Sequence, residues 1–96
     1  MQFIVIAHDY KDGLERRLKV REKHLKHGDK LVAEGKALYG VALLDDKRDM
    51  KGSVYIMDFP SRRELDEWLQ TEPYVKEKVW EKIEVIPCKV GPSFTK

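Results

Sequence analysis

The sequence has little of what marks secreted or membrane proteins. It contains one cysteine, Cys88, in 96 residues, so no internal disulfide is possible. A single thiol is typical of a reducing compartment, and the residues around Cys88 do not indicate an activated thiolate. The first apolar run, residues 3–7, follows no cationic leader and is too short to span a bilayer. These absences predict a cytoplasmic protein without a membrane segment, in which Cys88 is a small structural residue.

A strong excess of either charge is also absent. The chain has 19 Lys and Arg against 17 Asp and Glu, a formal net charge of +2. The two signs are interleaved, whereas nucleic-acid-binding proteins concentrate basic residues on one face. Hydrophobic residues make up 42% of the chain, which is too much for a disordered protein and enough for one core. The composition therefore predicts one folded domain over residues 1–96 that does not bind nucleic acid.

Hydrophobic periodicity and turn residues predict four strands and three helices. The strands are residues 2–8, 37–44, 53–59 and 82–90, and the helices are residues 13–34, a segment that starts after Ser61, and residues 73–78. Asp12 is a candidate N-cap of the first helix, and Gly35 is a candidate terminator. The order strand, helix, strand, strand, helix, strand predicts an α+β, ferredoxin-like βαββαβ fold with a four-stranded antiparallel sheet.

The predicted strands are apolar on both of their faces. Two helices can cover only one face of a four-stranded sheet, and a large open apolar face is unfavourable in a monomer. We therefore expect a homodimer in which two sheets pack face to face and form a dimeric α/β barrel.

The first helix contains polar residues where its apolar side should be. With about 100° per residue, Leu18, Leu25 and Val32 lie within about 40° of Leu14 and predict an apolar stripe. Arg21, His24 and Gly28 interrupt or border that stripe, whereas most of the remaining charges point the other way. A buried ionisable group is unfavourable unless it is paired or used, so Arg21 and His24 are the first candidates for a site.

His24 is the leading catalytic candidate because only histidine gains and loses a proton near neutral pH without help. The alternative is a histidine at the edge of the core, bonded to a backbone carbonyl. Arg21, one turn earlier, can bind a carboxylate or phenolate oxygen through two N–H groups. Gly28, one turn later, either allows close packing of a strand or partner subunit, which we favour, or leaves room for a ligand.

Glu72 is the predicted partner of His24. Pro73 suits the first turn of a helix, so Glu72 lies at a helix N-terminus, where a carboxylate is favoured and able to orient an imidazole. Its alternative role is that of an exposed cap. Tyr74 either lines the same cleft or, as we favour, packs against nearby tryptophans. His8, at the end of the first strand, is either a further substrate-binding residue of the cleft or a surface histidine.

A metal site is not favoured by the sequence. His24 and His27 have the His-x-x-His spacing that can bind a metal from one helix. His27 falls toward the charged side of the helix, however, and no third ligand is placed nearby. We therefore expect no metal.

The chain resembles the YciI-like family over nearly its whole length. The resemblance is carried by residues 4–9, residues 14–25 with their Arg-x-x-His-Leu pattern, the Glu34-Gly35 helix end, and the Pro73-Tyr74-Val75 motif. It implies a ferredoxin-like fold, a dimeric α/β barrel and a site that contains a histidine and an acid. Histidine carries over to His24 and arginine to Arg21.

Two positions depart from the family pattern. Glu22 stands where a proline is usual, which suits a helix. Glu72 stands where an aspartate is usual and reaches one methylene further, so it either meets the imidazole after a small shift or points into solvent. The family resemblance also implies proton-transfer chemistry on small cyclic or aromatic metabolites without an organic cofactor.

The leading hypothesis is a cofactor-independent enzyme, lyase-like (a dehydrochlorinase, for example) or isomerase-like. In it His24 shuttles a proton, Glu72 orients the imidazole, and Arg21 binds an anionic oxygen. The alternative is a non-catalytic dimer that binds a small ligand or a protein in the same cleft. RNA binding on the sheet is disfavoured because the third strand lacks basic residues beside its aromatic ones.

Overall fold

A computed structural model describes residues 1–94 of the chain. The elements in chain order are β1 Gln2–Asp9, α1 Leu14–Ala33, β2 Ala37–Leu44, β3 Met50–Asp58, α2 Arg62–Thr71, α3 Pro73–Lys76 and β4 Trp80–Cys88, followed by a 3-10 turn at Pro92–Phe94. All strand pairs are antiparallel, and the sheet order is β2-β3-β1-β4. This arrangement confirms the predicted ferredoxin-like α+β fold. Residues 95 and 96 of the predicted domain lie outside the described part.

Local sequence signals predicted the end of α1 but not its start. Gly35 has φ of +75°, and the N–H of Lys36 donates to the carbonyl of Leu31 at 2.9 Å, which ends α1 as predicted. The N-cap of α1 is Gly13, without a side-chain cap, so the prediction for Asp12 was wrong. The Asp12 carboxylate lies 3.4 Å from Arg16 in an exposed ion pair instead.

Helices α2 and α3 are each capped at the N-terminus by a side chain. Ser61 accepts a hydrogen bond from the N–H of Glu64 at 3.2 Å and caps α2. The Glu72 carboxylate accepts from the N–H of Tyr74 at 3.2 Å and caps α3, with Pro73 in the first helical turn. Glu72 thus occupies the helix N-terminus that the sequence predicted.

The core lies between the helices and one face of the sheet. Phe3, Val5 and Ala7 of β1 point into it and are at most 2% exposed. Met57 of β3 and Leu65 of α2 pack on Phe3 and Val5 in the same cluster. Because strand residues alternate between the two faces, the neighbours of these residues point away from the helices.

The other face of the sheet is the open face, and it is largely apolar. Its residues are identified by their direct pairing across neighbouring strands, and they include Ile4, Ile6, Val41, Val54, Ile56 and Ile86. The members on the central strands are half-buried, whereas Val41 and Ile86 on the edge strands are 50% and 45% exposed.

The buried side of α1 differs from the prediction. Leu18, Leu25 and Val32 are 45–62% exposed, so their predicted stripe does not form the helix's contact with the core. The buried residues of α1 are Arg17, Val20, His24 and Leu31, centred about 90° around the helix from Leu14. Arg17 and His24 lie inside because each meets a polar partner there, as described below. Within residues 1–94, no helix combines the length and apolar character needed to cross a bilayer.

Candidate active site

The site is organised around a contact between α1 and the segment that joins α2 to α3. The Nδ1 atom of His24 forms a short hydrogen bond with Oε1 of Glu72. His24 is 8% exposed and Glu72 is completely buried. An ionised carboxylate can only accept, so with Glu72 in that form the proton is on Nδ1, and Nε2, which lies beside the Tyr55 hydroxyl, is the free acceptor. The glutamate therefore reaches the imidazole and does not point into solvent.

Three aromatic rings surround the imidazole. Tyr74 stacks on His24, with ring centroids 3.8 Å apart and an angle of 10° between planes. The Trp80 ring stands edge-on to His24 at 6.1 Å. The hydroxyl of Tyr55, on β3, lies 2.8 Å from Nε2 of His24. Tyr74 thus both packs in the core, at 1% exposure, and forms a wall of the cavity.

A second buried ion pair involves Arg17, which lies about two turns before His24 on α1. Arg17 binds Asp9 at the end of β1 with two hydrogen bonds, Nε to Oδ2 at 2.8 Å and Nη2 to Oδ1 at 3.1 Å. Its Nη2 also donates to the hydroxyl of Ser53 on β3 at 2.7 Å, and its guanidinium lies 4.6 Å from the Tyr74 ring centroid. The Arg17 and Asp9 side chains are 3% and 4% exposed. Arg17 thereby fixes both α1 and Tyr74 against the sheet.

His27 approaches the other oxygen of Glu72. Its Nδ1 lies 3.3 Å from Oε2 of Glu72, without the geometry of a hydrogen bond, and it accepts at 3.4 Å from the indole N–H of Trp68. Its Nε2 lies 3.1 Å from the hydroxyl oxygen of Thr71, which itself donates to a backbone carbonyl. His27 therefore points between α1 and α2, not toward the charged side that the helical wheel indicated. Within residues 1–94 no three His, Cys, Asp or Glu side chains are grouped to hold a metal ion.

A cavity of about 520 Å³ opens beside His24, between α1 and the β2–β3 hairpin. Its lining is mostly apolar and includes Leu25, Leu31, Val32, Leu38, Met57 and Trp68, together with Arg17, Arg21, His24, Tyr55, Glu72 and Tyr74. Arg21 is exposed at this cavity and has no hydrogen bond or ion pair among the described residues, so its guanidinium can receive an anion. The exposed Leu25 and Val32 form part of the cavity wall.

Gly28 also borders the cavity and packs against nothing. A Cβ atom at this position would meet no atom within 4 Å, leaving out the helix's own neighbouring backbone. The close packing that we favoured from the sequence is therefore absent within the described chain, and the alternative, free space beside His24, is what the structure contains.

His8 does not reach this cavity. It is 48% exposed, and its Nε2 lies 3.4 Å from a Glu84 oxygen. Ala7 points toward the helices, so its neighbour His8 points to the opposite face of the sheet. Strand alternation thus puts His8 and His24 on opposite sides of the sheet, and the prediction that His8 binds substrate beside His24 is corrected.

Three residues near the imidazole were missed by the sequence reasoning: Arg17, Asp9 and Tyr55. A signal for Arg17 was present, since Arg17, Val20, His24 and Leu31 repeat with spacings of three, four and seven residues. Tyr55 could be placed on the helix-facing side of β3 by alternation, because Met57 and Phe59 share that side. Nothing local indicated that its hydroxyl would reach His24, because that contact spans 31 residues.

The electrostatics of the two tyrosines follow from their burial. Burial raises the pKa of the Tyr55 hydroxyl far above its usual range, and the charge of Glu72 acts in the same direction, although Ser53 and Arg17 oppose it. Burial also raises the pKa of Tyr74, which Arg17 and Arg21 partly counter. Both hydroxyls are therefore protonated at neutral pH, and that of Tyr55 can donate to Nε2 of His24.

Comparison with known proteins agrees with this fold. Protein YciI of Escherichia coli O6:H1 is 35% identical over 95 residues, which cover 93% of this chain and 97% of that protein. A solved structure of 5-chloro-2-hydroxyhydroquinone dehydrochlorinase (TftG) from Burkholderia phenoliruptrix AC1100, in complex with 2,5-dihydroxybenzoquinone, superposes with a TM-score of 0.85 at 26% identity. That match covers 97% of this chain and 98% of the other.

A solved antibiotic biosynthesis monooxygenase shares the fold alone, with a TM-score of 0.54 and 18% identity over 95% of this chain and 98% of its own. The family model described as the YCII-related domain matches residues 1–89. On this evidence the chain belongs to the YCII-related domain family.

Proposed function

We propose that this protein is a cofactor-independent enzyme that moves a proton on a small cyclic or aromatic molecule, as a lyase or an isomerase does. The observation that carries the proposal is the buried contact between Nδ1 of His24 and Glu72, next to an open cavity. An imidazole held by a carboxylate on one nitrogen has its other nitrogen fixed in direction and ready to exchange a proton.

Each residue of the site has a defined role in this proposal. His24 is the group that ends up holding the proton lost by the substrate and later releases it, and Glu72 orients the ring and stabilises the imidazolium that forms. Arg21 binds an anionic oxygen of the substrate, and Tyr74 provides an aromatic wall. The nearby positive charge of Arg17 is neutralised by Asp9, so Arg21 is the guanidinium that remains to attract an anion.

The proposed substrate class is a flat ring with acidic oxygens. The cavity has apolar and aromatic walls that suit a ring, and the guanidinium of Arg21 suits a phenolate or carboxylate. TftG, which is similar over nearly the whole chain, acts on a chlorinated hydroxyhydroquinone and binds a dihydroxyquinone, and both are molecules of this kind.

The test uses 5-chloro-2-hydroxyhydroquinone with the wild type and the His24→Asn variant. Asparagine keeps an N–H donor near the position of Nδ1 but has nothing in place of Nε2, so Glu72 retains a partner while the proton acceptor is lost. We expect the wild type to release chloride and His24→Asn to be slower by about 10²-fold or more. Chloride release is followed with an ion-selective electrode.

The outcomes separate the two candidate functions. Chloride release by His24→Asn at the wild-type rate would exclude His24 as the proton shuttle. Binding of 2,5-dihydroxybenzoquinone without turnover of the chlorinated compound by the wild type would favour a non-catalytic ligand-binding protein. Failure of both compounds to bind would contradict the proposed ligand class.

We also propose that the protein is a homodimer formed through the open face of the sheet and that it acts in the cytoplasm. Ile4, Ile6, Val54 and Ile56 form a continuous apolar surface across the two central strands, and a second copy presents the same surface. Two sheets packed in this way give the dimeric α/β barrel that the sequence predicted. The cytoplasmic location stays a prediction from cysteine content.

Ile86→Lys is expected to convert the dimer to a monomer, because the lysine would place a charge on the open face without a partner. Ile86 is 45% exposed in the single chain, so the substitution should leave the protomer folded. Leu18→Lys is the matched control, since Leu18 is 56% exposed on α1, in the other layer. Light scattering after size-exclusion chromatography measures both masses. A monomeric wild type, or an Ile86→Lys variant of unchanged mass, would contradict the proposal.

A further inference from the structure

The Nε2 atom of His24 is already occupied by a protein group. The hydroxyl of Tyr55 lies 2.8 Å from Nε2, and the bond from Nδ1 to Glu72 makes Nε2 the acceptor for that hydroxyl. Tyr55 lines the cavity beside His24. A ligand in that space can therefore contact the side chain that occupies Nε2.

We propose that Tyr55 is a catalytic residue of this site, which exchanges the proton with the substrate while His24 supplies and receives it through Tyr55. This inference rests on the proposed function and adds a reacting group to it. Glu72 is hydrogen-bonded to His24, and His24 is hydrogen-bonded to the Tyr55 hydroxyl. In this proposal the Tyr55 oxygen is the atom that contacts the substrate.

The proton transfer balances without another reactant. The phenolic oxygen of Tyr55 accepts the substrate's proton as the O–H bond of Tyr55 breaks and its own proton moves to Nε2 of His24. The substrate keeps the electron pair of its broken bond, Tyr55 ends neutral, and His24 ends as an imidazolium beside Glu72. In an isomerisation the reverse movement returns the proton to another atom of the substrate. In the dehydrochlorination used as the test, the electron pair kept by the substrate expels chloride as the C–Cl bond breaks, and the proton on His24 passes to water. In both cases no net charge stays on the protein.

The ring of Tyr55 is held in position by an unusual neighbour on β2. Gly40 pairs directly with Tyr55, and a Cβ atom at Gly40 would lie 2.8 Å from two ring carbons of Tyr55. Only glycine leaves room for the ring at this distance, so any side chain at position 40 must shift it. The buried Ser53 hydroxyl accepts a hydrogen bond from Arg17 and lies two residues before Tyr55 on the same strand. Its hydrogen bond with the Tyr55 hydroxyl opposes the rise in the pKa of that group.

The raised pKa of the Tyr55 hydroxyl agrees with this role. Burial keeps the group neutral, so it passes a proton on without becoming a stable phenolate. The arrangement differs from a histidine that attacks a substrate proton directly, for which Nε2 would have to be free. It therefore makes a distinct prediction for a variant that lacks only one oxygen atom.

Tyr55→Phe removes the hydroxyl and keeps the ring, and Gly40→Ala keeps the hydroxyl and moves the ring. With 5-chloro-2-hydroxyhydroquinone as substrate, we expect both variants to lower kcat by about 10²-fold, and Tyr55→Phe to leave KM nearly unchanged. Tyr10→Phe is the matched control, because Tyr10 lies outside the cavity. The centroid of its ring is 5.6 Å from the guanidinium carbon of Arg16. This variant should retain the wild-type rate.

The results distinguish this inference from the proposed function. Loss of activity in both Tyr55→Phe and His24→Asn supports the inference. If Tyr55→Phe keeps or exceeds the wild-type kcat while His24→Asn is inactive, Tyr55 only covers the imidazole, and the inference fails while the proposed function stands. If His24→Asn stays active, the proposed function fails.

A spectroscopic measurement does not depend on turnover. The ¹⁵N resonance of His24 Nε2 should move in Tyr55→Phe and stay in place in Tyr10→Phe, because only the first removes its hydrogen-bond donor. An unchanged Nε2 resonance in Tyr55→Phe would overturn the inference.

Discussion

Arg17→Met is expected to lower the free energy of unfolding by about 3–5 kcal/mol. The substitution keeps the length of the aliphatic side chain but leaves the Asp9 carboxylate, 4% exposed, without its guanidinium. Ser53 and the Tyr74 ring lose a contact as well. Chemical denaturation followed by circular dichroism measures the change.

Two controls separate burial of the pair from loss of charge. Arg62→Met removes a similar arginine from the exposed pair with Asp66, in which both side chains are about half exposed, and should change the stability by about 0.5 kcal/mol or less. The double variant Arg17→Met with Asp9→Leu leaves no unpaired charge. Its loss in the free energy of unfolding should therefore be smaller than the sum of the losses in the two single variants. Additive losses would show that the two groups do not depend on each other.

Glu72→Gln is expected to reduce kcat toward the cyclic substrate by about 10²–10⁴-fold while the protein stays folded. Glutamine has the same length and still offers an oxygen to the N–H of Tyr74, so the cap of α3 is kept. The same oxygen can still accept from Nδ1 of His24, but glutamine has no negative charge to stabilise the imidazolium that forms. Steady-state chloride release and thermal unfolding, measured on the same preparation, test the two parts of this expectation.

Glu77→Gln is the matched control for this change, because Glu77 is an exposed glutamate at the other end of α3. It should behave as the wild type does. Glu72→Asp asks a further question, since aspartate caps a helix equally well but is one methylene shorter. We expect it to keep the stability and to lose part of the activity. Full activity in Glu72→Gln would mean that the buried carboxylate has no part in proton transfer.

The fold could be predicted well from local signals. Short apolar runs bounded by turn residues marked the strands, the Ser61 and Gly35 ends marked α2 and α1, and Pro73 marked the start of α3. These signals act between residues a few positions apart, so they are present in the sequence itself. Two helix ends differ from the prediction. The cap of α1 is Gly13, because the helix begins one residue later than Asp12 requires, and α3 ends at Lys76, two residues before the predicted end.

The site could be predicted only in part. His24 was found because it departs from the pattern of its helix, and Glu72 because Pro73 places it at a helix start. Tyr55 was missed, although its place on the inner face of β3 could be derived from strand alternation. Its contact with His24 depends on the distance between α1 and the sheet, which no local pattern contains.

The sequence by itself determined the order of elements, the two-sided apolar sheet, and the candidacy of His24 and Glu72. The tertiary structure alone decided which side of α1 is buried. A helical wheel ranks sides by hydrophobicity and favoured the stripe of Leu18, Leu25 and Val32. The folded chain instead buries the side with Arg17 and His24, because Asp9 and Glu72, distant in the sequence, satisfy their polar groups. The leucine stripe is left at the surface, and part of it forms the wall of the cavity beside His24.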